Sequence, residues 1–95
     1  MAVTFLIPTY LAPFAGDNNS VTVSAKPATV AEALESLWGM HPALRDRIVD
    51  EQGQVRQHIN VFVGNECIRF TGGLSTQVPD GAELLIVPAV SGGVW

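Results

Sequence analysis

Apolar residues recur at every second position in two short runs near the amino terminus. The first run spans residues 3–7 and the second spans residues 20–24, where valines alternate with serines and threonines. A period of two is the pattern of a half-buried β-strand. Residues 13–19, between the runs, are rich in Pro, Gly, Asp and Asn, which favour turns. The pattern therefore predicts an antiparallel hairpin with a long connecting loop.

A helical period replaces this alternation after residue 29. Its apolar residues recur at i, i+3, i+4, i+7 and i+8, which is one face of an α-helix: Val30, Ala33, Leu34, Leu37 and Trp38. Thr29 precedes them and Glu32 follows three positions later, which is the spacing of a capping box. Gly39 is expected to end the helix. Farther along the chain, Leu44, Ile48 and Val49 are expected to anchor a short irregular or helical turn.

Strand patterns return in the second half of the chain. Alternation over residues 55–63 puts one set of side chains on one side, Ile59, Val61 and Val63, and another set on the other, His58, Asn60 and Phe62. A short strand over 67–70 and a final apolar strand over 83–90 follow. Turn formers lie before and between these strands, at 50–53, 71–73 and 79–81. The order β, β, α, β, short β, β predicts an α+β fold, in which one main helix packs on one face of a mixed sheet.

Composition and charge narrow the class of protein. Ninety-five residues with 47% hydrophobic content suffice for one core and one domain. The net charge is -4, and the basic residues form no block, which argues against a nucleic-acid partner. No apolar stretch approaches the roughly 20 residues that span a bilayer, so no membrane partner is expected. The apolar start lacks a preceding Lys or Arg and is interrupted by Pro8 and Pro13, unlike a signal peptide. With the single Cys67, these features predict a cytoplasmic protein.

The side chains that usually carry chemistry are sparse. Cys67 beside Ile68 is interpreted as a packing residue, and His41 and His58 lack a metal-binding spacing, so neither a metal nor a catalytic site is expected. The di-glycine of Ser91-Gly92-Gly93-Val94-Trp95 is the exception, because it follows a strand directly. Glycine has no Cβ and fits a narrow cleft. Gly72-Gly73 has the same dipeptide but lies between strands, where a turn is the better explanation.

Several segments together carry a resemblance to a known family: residues 3–9, 59–63, 69–74 and 80–81, and above all the ending Pro88-Ala89-Val90-Ser91-Gly92-Gly93. The chain resembles the ubiquitin-like sulfur carrier proteins related to ThiS and MoaD, most closely the CysO type. The resemblance implies a β-grasp domain over residues 1–90 and a flexible tail over 91–95. It also implies that an E1-like adenylyltransferase uses ATP to activate the carboxyl group of Gly93, which then becomes a thiocarboxylate. The chain would bind no cofactor and would be a cosubstrate, not an enzyme.

Val94 and Trp95 depart from the family pattern, in which most members end at the second glycine. The resemblance to members with a short extension implies removal of these two residues by a JAMM-type zinc peptidase. A sulfur-accepting synthase would then take the sulfur. An exposed sheet face next to the tail is the expected partner surface, with Phe62, Phe70 and Leu74 as candidates.

The sequence leaves open which pathway a sulfur carrier would serve, and it leaves open two functions other than sulfur transfer. The pathway served is cysteine biosynthesis or that of a sulfur-containing secondary metabolite, with molybdopterin and thiazole also possible acceptors. A ubiquitin-like covalent modifier would use the same adenylation but end in an isopeptide bond. A non-covalent subunit of a MoaD-like synthase complex would insert the tail without reacting.

Overall fold

A five-stranded mixed sheet forms the body of the protein. The computed structural model describes residues 2–24 and 27–88. The strands are β1 (Val3–Leu6), β2 (Ser20–Val23), β3 (Ile59–Val63), β4 (Glu66–Cys67) and β5 (Glu83–Pro88), and their order across the sheet is β2-β1-β5-β3-β4. The predicted carboxyl-terminal tail, and residues 89–90 of the predicted final strand, lie outside the described residues.

The last strand occupies the middle of the sheet. β1 pairs antiparallel with β2, as predicted, and parallel with β5, while β3 pairs antiparallel with β5. The long loop of the hairpin contains a 3-10 helix, Thr9–Ala15, which Gly16 ends in the left-handed conformation with a φ of 64°. β5 is therefore paired on both sides over residues 83–85, and from there to Pro88 it is paired with β3 alone.

The main helix, α1, spans Val30–Met40 and begins as predicted. The Glu32 amide donates to the Thr29 hydroxyl over 3.3 Å, and the Glu32 carboxylate accepts from the Ala28 amide over 2.9 Å, one residue before the usual partner. The prediction that Gly39 ends the helix is wrong. The helix runs one residue further, to Met40, and stops there because Pro42 disfavours the helical conformation at His41, which has φ -136° and ψ 76°.

The segment from His41 to the third strand is mostly irregular. It contains a 3-10 turn, Pro42–Leu44, and one short helix, α2 (Arg45–Ile48). The predicted strand over 55–63 starts only at Ile59, because the Arg56 amide donates to the Ile48 carbonyl and not to a neighbouring strand. The predicted strand over 67–70 is likewise shorter. Only Glu66–Cys67 pairs with β3, and Ile68–Phe70 turns into a 3-10 helix, followed by a second one over Gly73–Ser75.

One hydrophobic core lies between α1 and the sheet. Apolar side chains from one face of α1, from the inner face of the sheet and from the short helices beside them are almost completely excluded from solvent. The largest of these are Phe5, Leu11, Leu37, Leu44, Ile48, Ile59, Leu84 and Ile86. Burial on this scale is the main source of stability. The architecture confirms the predicted α+β class, with one main helix on one face of a mixed, ubiquitin-like β-grasp sheet.

Candidate functional site

The candidate site is the place where β5 leaves the sheet. Residues 83–85 of β5 pair with β1, but the strand extends three residues beyond that contact, and its last residue, Pro88, pairs only with Ile59 of β3. Pro88 is exposed and has no amide hydrogen to donate to a further strand. The chain therefore leaves the sheet at the end of its central strand, a few residues before the Gly92-Gly93 segment identified in the sequence.

The side of the sheet that faces away from α1 has an apolar patch beside this exit point. Leu6 and Phe62 flank Leu85 in register, so their side chains share one row, and Val87 lies in the next row toward the tail. All four side chains are partly exposed. We call Leu6, Phe62, Leu85 and Val87 the outer patch.

The opposite end of the same face is polar. Thr4 and Thr22 hydrogen-bond to each other through their hydroxyl groups over 3.2 Å, and Glu83 is in register with Thr4. Apolar character on this face is thus concentrated at the end near the tail. A partly exposed apolar cluster with a polar border is a common form of docking surface.

Arg69 joins the loop after β4 to the segment that enters β3. Its Nε donates to the Asn60 side-chain oxygen over 2.7 Å, and its Nη2 donates to the Ile59 carbonyl over 2.9 Å and to the Gln57 carbonyl over 3.2 Å. β4 pairs only with Phe62 and Val63 of β3. Nearer the start of β3, the Arg69 guanidinium, and not a strand backbone, donates to the Ile59 carbonyl. Since Ile59 pairs with Pro88, Arg69 stabilises the strand that supports the root of the tail.

The sequence did not identify Arg69 as a site residue. Arg69 belongs to the segment 69–74 that carries the family resemblance, but its sequence context does not distinguish a positioning arginine from a solvated one. The alternation predicts the side of the strand on which Asn60 lies, but its role as the acceptor for Arg69 follows only from the fold.

The structure separates the three predicted partner-binding residues. Phe62 lies in the outer patch. Phe70 is 87% exposed in the 3-10 helix that follows β4. Leu74 is partly buried against the core and faces α1 residues such as Leu34, so it does not share the outer face of the sheet with Phe62. Gly92, Gly93, Val94 and Trp95 lie outside the described residues.

No second chemical centre emerges from the rest of the described chain. Cys67 is in register with Phe62 at the sheet edge and is partly buried. Within residues 2–24 and 27–88, no three His, Cys, Asp or Glu side chains are grouped to hold a metal. No helix in the same ranges combines the length and apolar character that crossing a bilayer requires. Burial raises the pKa of the Tyr10 phenol, which therefore stays neutral at physiological pH.

Comparison with known proteins connects this geometry to a family. Residues 5–93 match the ThiS family. The chain is 36% identical over 95 residues to the sulfur carrier protein CysO of Mycobacterium tuberculosis, with 98% of this chain and 100% of that protein covered. It is 41% identical over 66 residues to small archaeal modifier protein 1 of Haloferax volcanii, covering 70% of this chain and 71% of that one.

A solved structure agrees with these sequence relationships. The fold matches a chain of the crystal structure of the Amycolatopsis orientalis BexX/CysO complex with a TM-score of 0.83 and 43% identity. The match covers 96% of this chain and 99% of the other. Sequence and fold thus point to one family over essentially the whole chain.

Proposed function

The chain belongs to the ThiS family and is a ubiquitin-like sulfur carrier, and we propose that it carries sulfur as a thiocarboxylate on Gly93 once Val94 and Trp95 have been removed. The observation that carries this proposal is the extent of the family match, which runs to Gly93 and stops there. Val94 and Trp95 are thus the part of the chain to which the likeness does not extend.

The proposed chemistry needs an activated carboxyl group. A carboxylate is a poor acyl donor, so attack of the Gly93 carboxylate on ATP would release pyrophosphate and form an acyl adenylate. A sulfide equivalent then adds to the acyl carbon, and AMP leaves with the bonding electron pair. The product is a thiocarboxylate. Because Gly92 and Gly93 carry no side chain, neither step is hindered at the acyl carbon.

The folded body would serve as a handle and would not take part in the reaction. The position of β5 supports this role. The strand that precedes the tail lies in the middle of the sheet and is hydrogen-bonded to both β1 and β3, which anchor it to the folded domain. The chain would therefore be a cosubstrate, and the catalytic groups would belong to its partners. Activation consumes ATP and Cys67 requires no oxidising environment, so the cytoplasm is the proposed compartment.

The proposed partners are an E1-like adenylyltransferase, a JAMM-type zinc peptidase that removes Val94 and Trp95, and a sulfur-accepting synthase. The outer patch is the proposed contact for the adenylyltransferase, since two of its residues, Leu85 and Val87, lie on the strand that leads into the tail. The BexX/CysO complex supports the idea that a relative of this chain works by binding another protein. Similarity to CysO favours a cysteine precursor as the acceptor, with a sulfur-containing metabolite as the alternative.

A reconstituted reaction tests this function. A chain that ends at Gly93 is mixed with ATP, sulfide and an adenylyltransferase encoded in the same genome, and pyrophosphate release and intact mass are followed. We expect pyrophosphate release and the mass change of one oxygen-to-sulfur exchange. The chain that retains Val94 and Trp95 is the matched control and should give neither. Equal reaction of both chains would contradict the need for trimming.

A covalent modifier is the second candidate, favoured by the identity with small archaeal modifier protein 1. It would share the acyl adenylate but transfer the Gly93 carbonyl to a lysine amine. Tagged protein recovered from its host under denaturing conditions separates the two. Adducts that disappear when Gly93 is deleted favour the modifier, whereas free thiocarboxylate favours the carrier.

A further inference from the structure

Phe70 is the most exposed of the large apolar residues that the structure describes. It is 87% exposed, whereas Met40 and Tyr10, the other large hydrophobic residues at the surface of the described ranges, are 51% and 48% exposed. A phenyl ring in water contributes little to the stability of the fold, although burial of such a ring is strongly favourable. The stability of the domain therefore does not explain the aromatic ring at this position.

The backbone that carries Phe70 is held in place on both sides. Ile68 is buried in the core with 3% exposure, and its carbonyl accepts a hydrogen bond from the Thr71 amide over 3.1 Å. The Thr71 hydroxyl lies 2.9 Å from the Thr76 hydroxyl, and the Thr76 carbonyl accepts from the Val30 amide at the start of α1. An aromatic side chain on a loop fixed in this way loses little backbone freedom when a partner binds it.

The neighbouring Arg69 is fixed in place but retains free donors. Its Nε and Nη2 donate to the Asn60 side chain and to nearby backbone carbonyls, which fixes the plane of the guanidinium. Within residues 2–24 and 27–88, its Nη1 makes no hydrogen bond, and the ion pair formed there joins Arg45 to Asp46. Arg69 is also exposed. A positioned, exposed guanidinium with free N–H donors is suited to a carboxylate from another molecule.

The loop that carries both residues lies at the end of the sheet where β5 ends. β4 is antiparallel to β3 and pairs Cys67 with Phe62, so the chain after Cys67 runs toward Ile59, the register partner of Pro88. Two strand spacings, about 10 Å, separate this edge of the sheet from β5. A standard interface covers about 800 Å² of each protein. A partner protein that covers the outer patch and receives the tail is therefore within reach of Phe70.

We propose that Phe70 and Arg69 form a second anchor for the partner protein that receives the tail. The Phe70 ring enters an apolar pocket of the partner, and a carboxylate at the rim of that pocket accepts a hydrogen bond from the Arg69 Nη1. Aromatic side chains and arginines are enriched among the residues that dominate the binding energy of interfaces. The fixed guanidinium also disfavours a partner with a basic rim, because like charges repel. That this partner is the adenylyltransferase rests on the proposed function.

Binding of the chain that ends at Gly93 to the adenylyltransferase encoded in the same genome tests the anchor. Calorimetric titration without ATP gives the dissociation constant, and pyrophosphate release with ATP gives the activity. We expect Phe70→Ser to raise the dissociation constant about tenfold or more. Urea denaturation should show unchanged stability, because Phe70 is exposed. Met40→Ser is the matched control: Met40 is also exposed but ends α1, so its replacement should leave the dissociation constant unchanged.

The salt dependence of binding tests the role of the arginine. Arg69→Gln should weaken binding and make the dissociation constant less sensitive to salt, because one ion pair across the interface is lost. Phe70→Ser should weaken binding without changing the salt sensitivity, since it removes only apolar contact. A purely structural role of Arg69 within its own loop would not alter the salt dependence of binding in this way.

Other outcomes overturn the proposal. Equal dissociation constants of Phe70→Ser and the parent chain exclude the anchor, and so does Arg69→Gln with the salt sensitivity of the parent. Self-association of the parent chain in sedimentation, abolished by Phe70→Ser, would assign Phe70 to a second copy of the chain. Weaker binding of Phe70→Ser to an enzyme that never releases pyrophosphate with the parent would contradict the sulfur-carrier chemistry only. Equal binding with normal pyrophosphate release would contradict the anchor only.

Discussion

The two faces of the sheet use similar residue types for different purposes. On the inner face, most alternate residues of β1, β3 and β5 are buried in the core with at most 2% exposure, and only Val63 and Pro88, at the ends of β3 and β5, are more exposed. On the outer face, the intervening residues form the partly exposed outer patch beside the tail. Apolar side chains that are one position apart thus contribute to stability in one case and remain available to a partner in the other. Leu84 and Leu85 are the most direct pair for testing this contrast.

Truncation of Leu84 should have the largest effect on stability. Leu84→Ala removes a side chain with no exposed surface and leaves a cavity, so the free energy of unfolding should fall by about 2–5 kcal/mol. Leu85→Ala, the matched variant on the outer face, should cost no more than about 1 kcal/mol because its side chain already meets water. Urea denaturation of both variants checks this. Equal losses would show that the two faces are not different.

A charge introduced into the outer patch should affect the interaction with the partner protein more than the stability of the fold. Leu85→Asp should weaken activation by the adenylyltransferase about tenfold or more, since a central apolar contact becomes a desolvated carboxylate. Thr22→Asp, at the polar end of the same face, is the control and should leave activation almost unchanged. Pyrophosphate release at varied carrier concentration measures both. A response to Thr22→Asp as large as that to Leu85→Asp would remove the outer patch from the account.

Loss of the Arg69 side chain should have an intermediate effect on stability. Arg69→Met keeps much of the aliphatic length but removes the donors to Asn60 and Ile59, and we expect a loss of about 1–2 kcal/mol because the site is partly solvated. Arg56→Met is a useful comparison, because among the described residues the Arg56 side chain donates a single hydrogen bond, from its Nε to the Asp46 carbonyl. Hydrogen exchange should show the Arg69 effect concentrated in β3 and the end of β5. Uniform destabilisation would argue against a local role at the tail root.

The cap of α1 should show the smallest effect. Thr29→Ala removes the acceptor of the Glu32 amide hydrogen bond, and a cost of about 1 kcal/mol in the free energy of unfolding is expected. Thr29→Ser keeps the hydroxyl and is the control. Thermal unfolding of both variants checks the prediction, which fails if serine and alanine are equally destabilising.

The periodic elements of this fold are predictable from sequence, because burial imposes the period directly. Ile59 and Val61 alternate since one face of β3 is sealed by the core, and α1 shows its stripe for the same reason. The strand predicted from the alternation over residues 55–58 does not form, and there Val55 makes an isolated bridge to Val49. A period of two reports which side chains are buried, and it does not report which backbone supplies the hydrogen bonds.

The site was predictable to a smaller extent. Phe62 was found because it lies on a periodic strand, whereas the side of the domain that Leu74 faces is decided by a 3-10 turn without a period. Arg69 acts through carbonyls of residues 10 to 12 positions earlier, a contact that only the folded chain creates. Gly93 was identified from the family resemblance of the ending, and its role stays a prediction.

The intact mass of the sulfur-charged protein, isolated from its native host, tests the central claim most directly. The account predicts a chain that ends at Gly93 with one carboxyl oxygen replaced by sulfur. A sulfur-charged form that still retains Val94 and Trp95 would contradict it.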